Sequence, residues 1–174
     1  MATSIPVPGA TPIYVGTGTA NALELLGYTV NCAEITAENM WEDVPGDQGG
    51  GEGGIPIDIQ IYGQIHRLHL EFSRWDTAVA AKLESCINTN GTLSTITPGK
   101  SPTPGSLVFA NNAQFRLLIN PPLVPTLKRN YPLAFMREPH VVNVGTKWAR
   151  LITDWIAYPD LTVTPPLLWN TVGS

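Results

Sequence analysis

The chain has 174 residues with 14 acidic and 10 basic side chains, a formal net charge of −4, and only 14% charged against 43% hydrophobic residues. That length suits a single domain, 1–174, with a real core, and a charged fraction well below the usual ~25% suits either neutral or apolar surface that a partner covers or a β-rich domain with many Gly, Thr and Pro. No apolar run approaches the roughly 20 residues of a membrane helix, and "MATSIPVPGATP" has neither a basic residue nor a long apolar block, so no membrane insertion and no secretory signal are expected.

The charges are unevenly placed. Glu24, Glu34, Glu38, Glu42, Asp43, Asp47, Glu52 and Asp58 all precede Arg67, which is the first basic residue of the chain. Such asymmetry suits an acidic part that meets the basic part of a neighbouring copy, a head-to-tail contact that generates rings or filaments.

In chain order, residues 1–12 read as an extended arm, and "IYVGTG" as a short strand ending in a turn. "ALELLGYTVN" fits a short helix or a strand. "EITAENMWEDVPGD" mixes acids with Met40 and Trp41 and leads into an acidic, glycine-rich loop over 42–54. Glycine loses too much backbone entropy to hold a regular element there.

From Ile57 the period becomes two. Ile57, Ile59 and Ile61 alternate with Asp58, Gln60 and Tyr62; after Gly63, His66, Leu68, Leu70 and Phe72 alternate with Arg67, His69, Glu71 and Ser73. The pattern predicts a half-buried antiparallel pair, or one long strand with a bulge at Gly63. Ser73-x-x-Asp76 then fits a capping box, and Trp75, Val79, Leu83, Cys86 and Ile87 recur at helical spacing, predicting a helix over 74–87. Further strands are expected at Ser106–Phe109, Ala113–Ile119, Tyr131–Arg137 and Lys147–Tyr158. "NPPLVP" and "REPHVVNVG" read as irregular links, and the tail 159–174 as a surface segment. The fold class is mainly β, with one α-helix.

Motifs that would carry chemistry are incomplete. His66 and His69 are three apart on a strand and so point to opposite faces, which bars one metal ion from using both. "TPGKS" lacks the first glycine of a phosphate-binding loop, Ser94 standing in its place. Gly16-Thr17-Gly18 lacks the third glycine of a dinucleotide fingerprint, and no "GxSxG" elbow is present. Cys32 and Cys86 are too few and too far apart for a zinc site; they read as buried thiols, with a single bridge as the alternative. Lys128-Arg129 is the one adjacent basic pair, in an acidic chain, so binding of nucleic acid through a basic patch is not expected. A surface that lets nucleic acid pass without sticking avoids positive charge, because phosphate contacts supply most non-specific affinity. No catalytic residue, metal or cofactor is expected.

Three blocks together resemble bacteriophage virion proteins, and most closely tail tube subunits: "NCAEITAENMWEDVPGDQGG", "GIPIDIQIYGQIHRLHLEFSRWDTAVAAKL" and "VNVGTKWARLITDWIAYPD". The resemblance implies an antiparallel β-sandwich or half-barrel with one flanking α-helix, forming hexameric rings stacked into a hollow tube, with DNA passing through without sequence-specific binding and with other virion proteins, such as a tail sheath, as neighbours in the particle. It also implies a long loop near the first strands that bridges subunits. Carried onto this chain, that loop is 42–54. On charge and position, the candidate interface residues are Trp41, Glu42, Asp43, Asp47 and Glu52 on the acidic side and Arg67, Arg74, Lys128 and Arg129 on the basic side. Collar, neck and head-decoration proteins reuse similar folds, and a ligand-binding β-sandwich is the alternative of a different class.

Overall fold

A computed structural model describes residues 10–17, 23–31, 33–45, 56–83, 115–136, 141–143 and 149–171. The strands are β1 (Pro12–Thr17), β2 (Glu24–Thr29), β3 (Glu34–Pro45), β4 (Pro56–Trp75), β5 (Phe115–Ile119), β6 (Arg129–Phe135), β7 (Val141–Asn143) and β8 (Arg150–Ala157), with one α-helix, α1 (Thr77–Leu83). The expected antiparallel β architecture with a single helix is borne out. The sheet also closes on itself. Its order is β3-β4-β2-β1-β5-β6-β8-β7, and an additional pairing of β4 with β8 joins the two ends. Strands β4, β2, β1, β5, β6 and β8 therefore form a six-stranded ring of antiparallel pairs, closed at the β6–β8 seam by Ala134 opposite Ala157 and Phe135 opposite Ile156.

The period-two pattern explains why the barrel holds. Leu68, Leu70 and Phe72 of β4, Ile13 and Val15 of β1, Phe115, Leu117 and Ile119 of β5, and Leu151, Trp155 and Ala157 of β8 all join one buried cluster. The Phe115 and Trp155 rings meet edge to face with centroids 5.7 Å apart, the geometry favoured by their quadrupoles. The Trp155 indole N–H donates to Thr153 Oγ1 at 2.9 Å, so both polar groups enter the core satisfied. At Gly27, where β2 passes β4, a Cβ would lie 2.3 Å from the Arg74 carbonyl oxygen; only glycine permits that approach.

β4 is one strand of 20 residues, and Gly63 lies at one of its irregular points. Met40 pairs with Gly63 and Trp41 with Ile61, so Tyr62 is the extra residue of a bulge. Gly63 has φ +157° with nothing within 4 Å of where a Cβ would stand, so the need for glycine there is conformational rather than steric. The bulge resets the alternation: Ile59 and Ile61, of opposite parity to Leu68 and Leu70, come to lie on the same face as these core residues.

Four expectations are corrected. The helix begins at Thr77 rather than residue 74, because β4 continues to Trp75. Its cap is Asp76, whose Oδ1 accepts the Ala78 and Val79 amides at 2.8 and 3.1 Å, while Ser73 is still strand. Glu42–Pro45 belongs to β3 rather than to a loop, because the ladder with β4 runs on to Pro45 opposite Pro56. The arm assigned to 1–12 is already anchored at its end: Thr11 is buried, its amide donates to Thr29 Oγ1 at 3.0 Å, and Pro12 opens β1. Val141–Asn143 is a short strand on β8 rather than an irregular link. "ALELLGYTVN" resolves as strand, through β2. The Ser106–Phe109 strand, Cys32, Cys86 and His140 lie outside the described residues.

Strand directions place every connection. Strands alternate round the ring, so the end of the barrel where β4 enters is also where β1 begins, β5 ends, β6 begins and β8 ends. At that end lie the Asn120–Lys128 link, with its short 3-10 turn at Pro125–Leu127, and the segment from Tyr158 onward. That C-terminal segment is fastened rather than loose: the Asn130 and Asn170 amides and carbonyls exchange hydrogen bonds at 2.8 and 3.0 Å, and the Arg129 guanidinium stacks 3.8 Å from the Trp169 ring centroid. At the opposite end α1 follows β4, with Val79, Ala80 and Leu83 buried in the core.

Replacing Gly27→Ala is expected to force β2 off β4 and cost about 1–3 kcal/mol. Urea unfolding followed by tryptophan fluorescence measures it; an unchanged midpoint would contradict the close approach. Asp76→Ala is expected to cost about 1 kcal/mol by the same measurement.

Candidate functional site

Beyond the barrel, β3 and the first half of β4 continue as a two-stranded ribbon that no other described strand joins. β8 meets β4 only over His66–Phe72 and β2 only over Phe72–Trp75, while β3 pairs with β4 down to Pro56. Residues directly opposite each other share a face. Ile35 faces Leu68 and Ala37 faces His66 where the barrel ends, then Asn39 faces Gln64, Trp41 faces Ile61 and Asp43 faces Ile59. This face is the outward continuation of the barrel's own core face, with no core to cover it. Ile61 is 71% exposed, Trp41 59% and Ile59 57%.

The other face is acidic and polar. Glu34, Thr36, Glu38, Met40 and Glu42 alternate along β3, with Gln60, Tyr62 and Arg67 across from them. The Tyr62 hydroxyl donates to Glu42 Oε2, and that carboxylate raises the Tyr62 pKa, helped by a little desolvation. Arg67 Nε donates to Glu38 Oε2 at 2.6 Å. The ribbon thus carries Glu34, Glu38, Glu42, Asp43 and Asp58, against Arg67 at its base. Among the described residues of the rest of the molecule, Arg74, Lys82, Arg116, Lys128, Arg129 and Arg150 balance Glu24, Glu71, Asp76, Asp154 and Asp160. Folding therefore keeps the sequence's charge asymmetry in space instead of dispersing it.

The candidate interface residues fall into distinct places. Trp41, Glu42 and Asp43 stand together and exposed on the ribbon; Asp47 and Glu52 lie outside the described residues. Arg67 sits at the ribbon's base on its acidic face. Arg74 is at the far end of β4, its guanidinium 5.9 Å from the Tyr28 ring centroid. Lys128 and Arg129 close the β5–β6 link at the ribbon end of the barrel. Arg129 is committed to Trp169 and to the carbonyls of Thr126 and Lys128, whereas Lys128 makes no ion pair among the described residues. Sequence reasoning missed Ile59 and Ile61 as surface residues. Their alternation reads as a buried face, and only the absence of a covering element reveals otherwise.

The two histidines divide as their spacing requires. His69 is on the outer face, its Nδ1 2.7 Å from Asp154 Oδ1, in a shallow groove of about 210 Å³ with Glu34, Thr36 and Arg67. His66 is buried at the barrel mouth, its Nδ1 3.0 Å from the Tyr131 hydroxyl. Burial, and secondarily the nearby Arg129 charge, lower the His66 pKa below its ordinary 6.5; burial pushes that of Tyr131 up to about 12. His66, Asp58 and Glu71 do not converge: Asp58 is on the ribbon, and Glu71 pairs with Arg150 beside β8. No group of three metal-binding side chains occurs among the described residues, and no described helix is long and apolar enough to cross a membrane.

The chain matches no family model, no curated protein and no solved structure.

Because the folded state disfavours the charged form of His66, the unfolded state takes up its proton first as pH falls. Stability from this group is complete above pH 6.5 and is lost as the solution is acidified toward the lower folded value. His66→Gln should flatten this part of the profile. Denaturation midpoints between pH 7.5 and 5 check it, and a wild-type curve that does not fall would contradict the assignment.

Proposed function

We propose that this chain is a repeating structural subunit of a phage particle, the tail tube subunit, which assembles with copies of itself through its protruding ribbon. The observation that carries the assembly reading is the ribbon's apolar face. An isolated two-stranded hairpin is at best marginally stable in water, and this one displays Trp41, Ile59 and Ile61 uncovered while both of its long edges stay unpaired by any described strand. A protein that displays such a face and such edges is built to have them covered. The assignment to a virion, and to the tube within it, rests on the likeness of the three sequence blocks to tail tube subunits.

Charge supports a contact between unlike surfaces. An acidic ribbon repels another ribbon but is attracted to the more basic remainder of a neighbour, so successive copies add head to tail. An acidic surface with few cations also suits passive passage of DNA.

Negative-stain microscopy and sedimentation of the purified protein should show rings or tubes. Replacing Trp41→Asp and Ile61→Asp together should leave the barrel folded, by circular dichroism, yet hold the protein as a monomer. Assembly should also weaken as salt rises, because the attraction between unlike charges is screened. A parent protein that stays solitary at millimolar concentration would defeat the reading.

A further inference from the structure

The surface that receives the ribbon can be located, given the reading that copies of this chain assemble. We propose that the ribbon of one copy seats on the β5–β6 link of the next, over Leu123, Leu127 and Lys128.

Three observations converge on that link. Leu123 and Leu127 are exposed large apolar side chains, 64% and 44%, carried on a short proline-bounded turn rather than scattered over the sheet. They offer apolar surface to Trp41, Ile59 and Ile61. Beside them, Lys128 makes no ion pair, and Asp43, on the apolar face of the ribbon opposite Ile59, makes none either, in each case among the described residues. An unpaired cation next to one apolar patch and an unpaired carboxylate within the other are complementary at matched positions. Arg129, already engaged with Trp169 and two carbonyls, holds this link to the C-terminal segment, so the receiving surface is formed before the ribbon arrives.

Position along the barrel restricts the symmetry. The ribbon leaves the barrel at the same end that carries the β5–β6 link, as the strand directions require. A donor and an acceptor at opposite ends would relate neighbours by translation along the barrel axis and give a stack. With both at one end, translation along the axis alone cannot join them, so neighbours are related by a rotation. The ten residues of Pro56–Ile65 extend roughly 33 Å at the usual strand rise, long enough to cross onto an adjacent copy.

The test is a cross-link in the full chain on a Cys32→Ser, Cys86→Ser background. Ile61→Cys and Leu127→Cys, combined in one chain and oxidised, should give a covalent ladder; each alone should give no ladder. Dimers from Ile61→Cys alone would mean that ribbons pack on each other, and would overturn the proposal. A charge exchange reads the same contact without cysteines. Lys128→Glu should raise the concentration for half-assembly about tenfold or more, since like charges brought together cost several kcal/mol, and adding Asp43→Lys should restore it. Rings or tubes that form normally with Lys128→Glu and show no Ile61–Leu127 bond would sink this receiving surface while leaving self-assembly intact. A parent chain that never assembles would sink both.

Discussion

The architecture depends on one strand being shared between two environments. β4 contributes its C-terminal half to a closed barrel, hydrogen-bonded on both sides, and its N-terminal half to a ribbon bonded on one side only. The ladder with β3 spans both halves and sets their common register, Glu34 opposite His69 at one end and Pro45 opposite Pro56 at the other. Since a slip of one residue exchanges faces, the buried Leu68, Leu70 and Phe72 hold the register of the exposed half as well. The core thereby decides which side chains the ribbon presents.

That coupling gives the ribbon its character. Apolar residues on the ribbon do not form an independent patch; they extend the barrel's inner face past the point where the barrel stops. The bulge at Tyr62 and Gly63 is what allows this, because it brings residues of odd parity into line with residues of even parity. The acidic side chains take the opposite face and leave the apolar one nearly free of charge, Asp43 excepted. A surface so arranged presents an apolar centre bounded by charge, the composition of interfaces that form between folded partners.

How much of this is legible in the sequence differs by element. Period two is plain through β4, and the irregularity falls where Gly63 stands, because a phase change in a long alternation needs one extra residue and glycine accepts the backbone that goes with it. The opposite placement of His66 and His69 also follows from spacing alone. Periodicity overextends the helix because Arg74 and Trp75 fit a helical stripe as well as a strand; pairing with β2, a long-range contact, decides for the strand. Glu42–Pro45 reads as loop because acids and proline disfavour strands, but a ribbon whose faces meet solvent tolerates them. Closure of the barrel has no local signature, since it depends on β8 finding β4 from the far end of the chain. Exposure of Ile59 and Ile61 is likewise invisible, because alternation tells which residues share a face and not what lies over it.

One consequence of the undivided β4 concerns force. The hydrogen bonds to β2 and β8 lie perpendicular to the strand. Tension applied through the ribbon therefore runs along the strand and strains those bonds in shear, many at once, instead of unzipping them singly from an end. Any pull on the ribbon would act against the whole wall of the barrel, so the part of the chain that looks least supported is also firmly anchored.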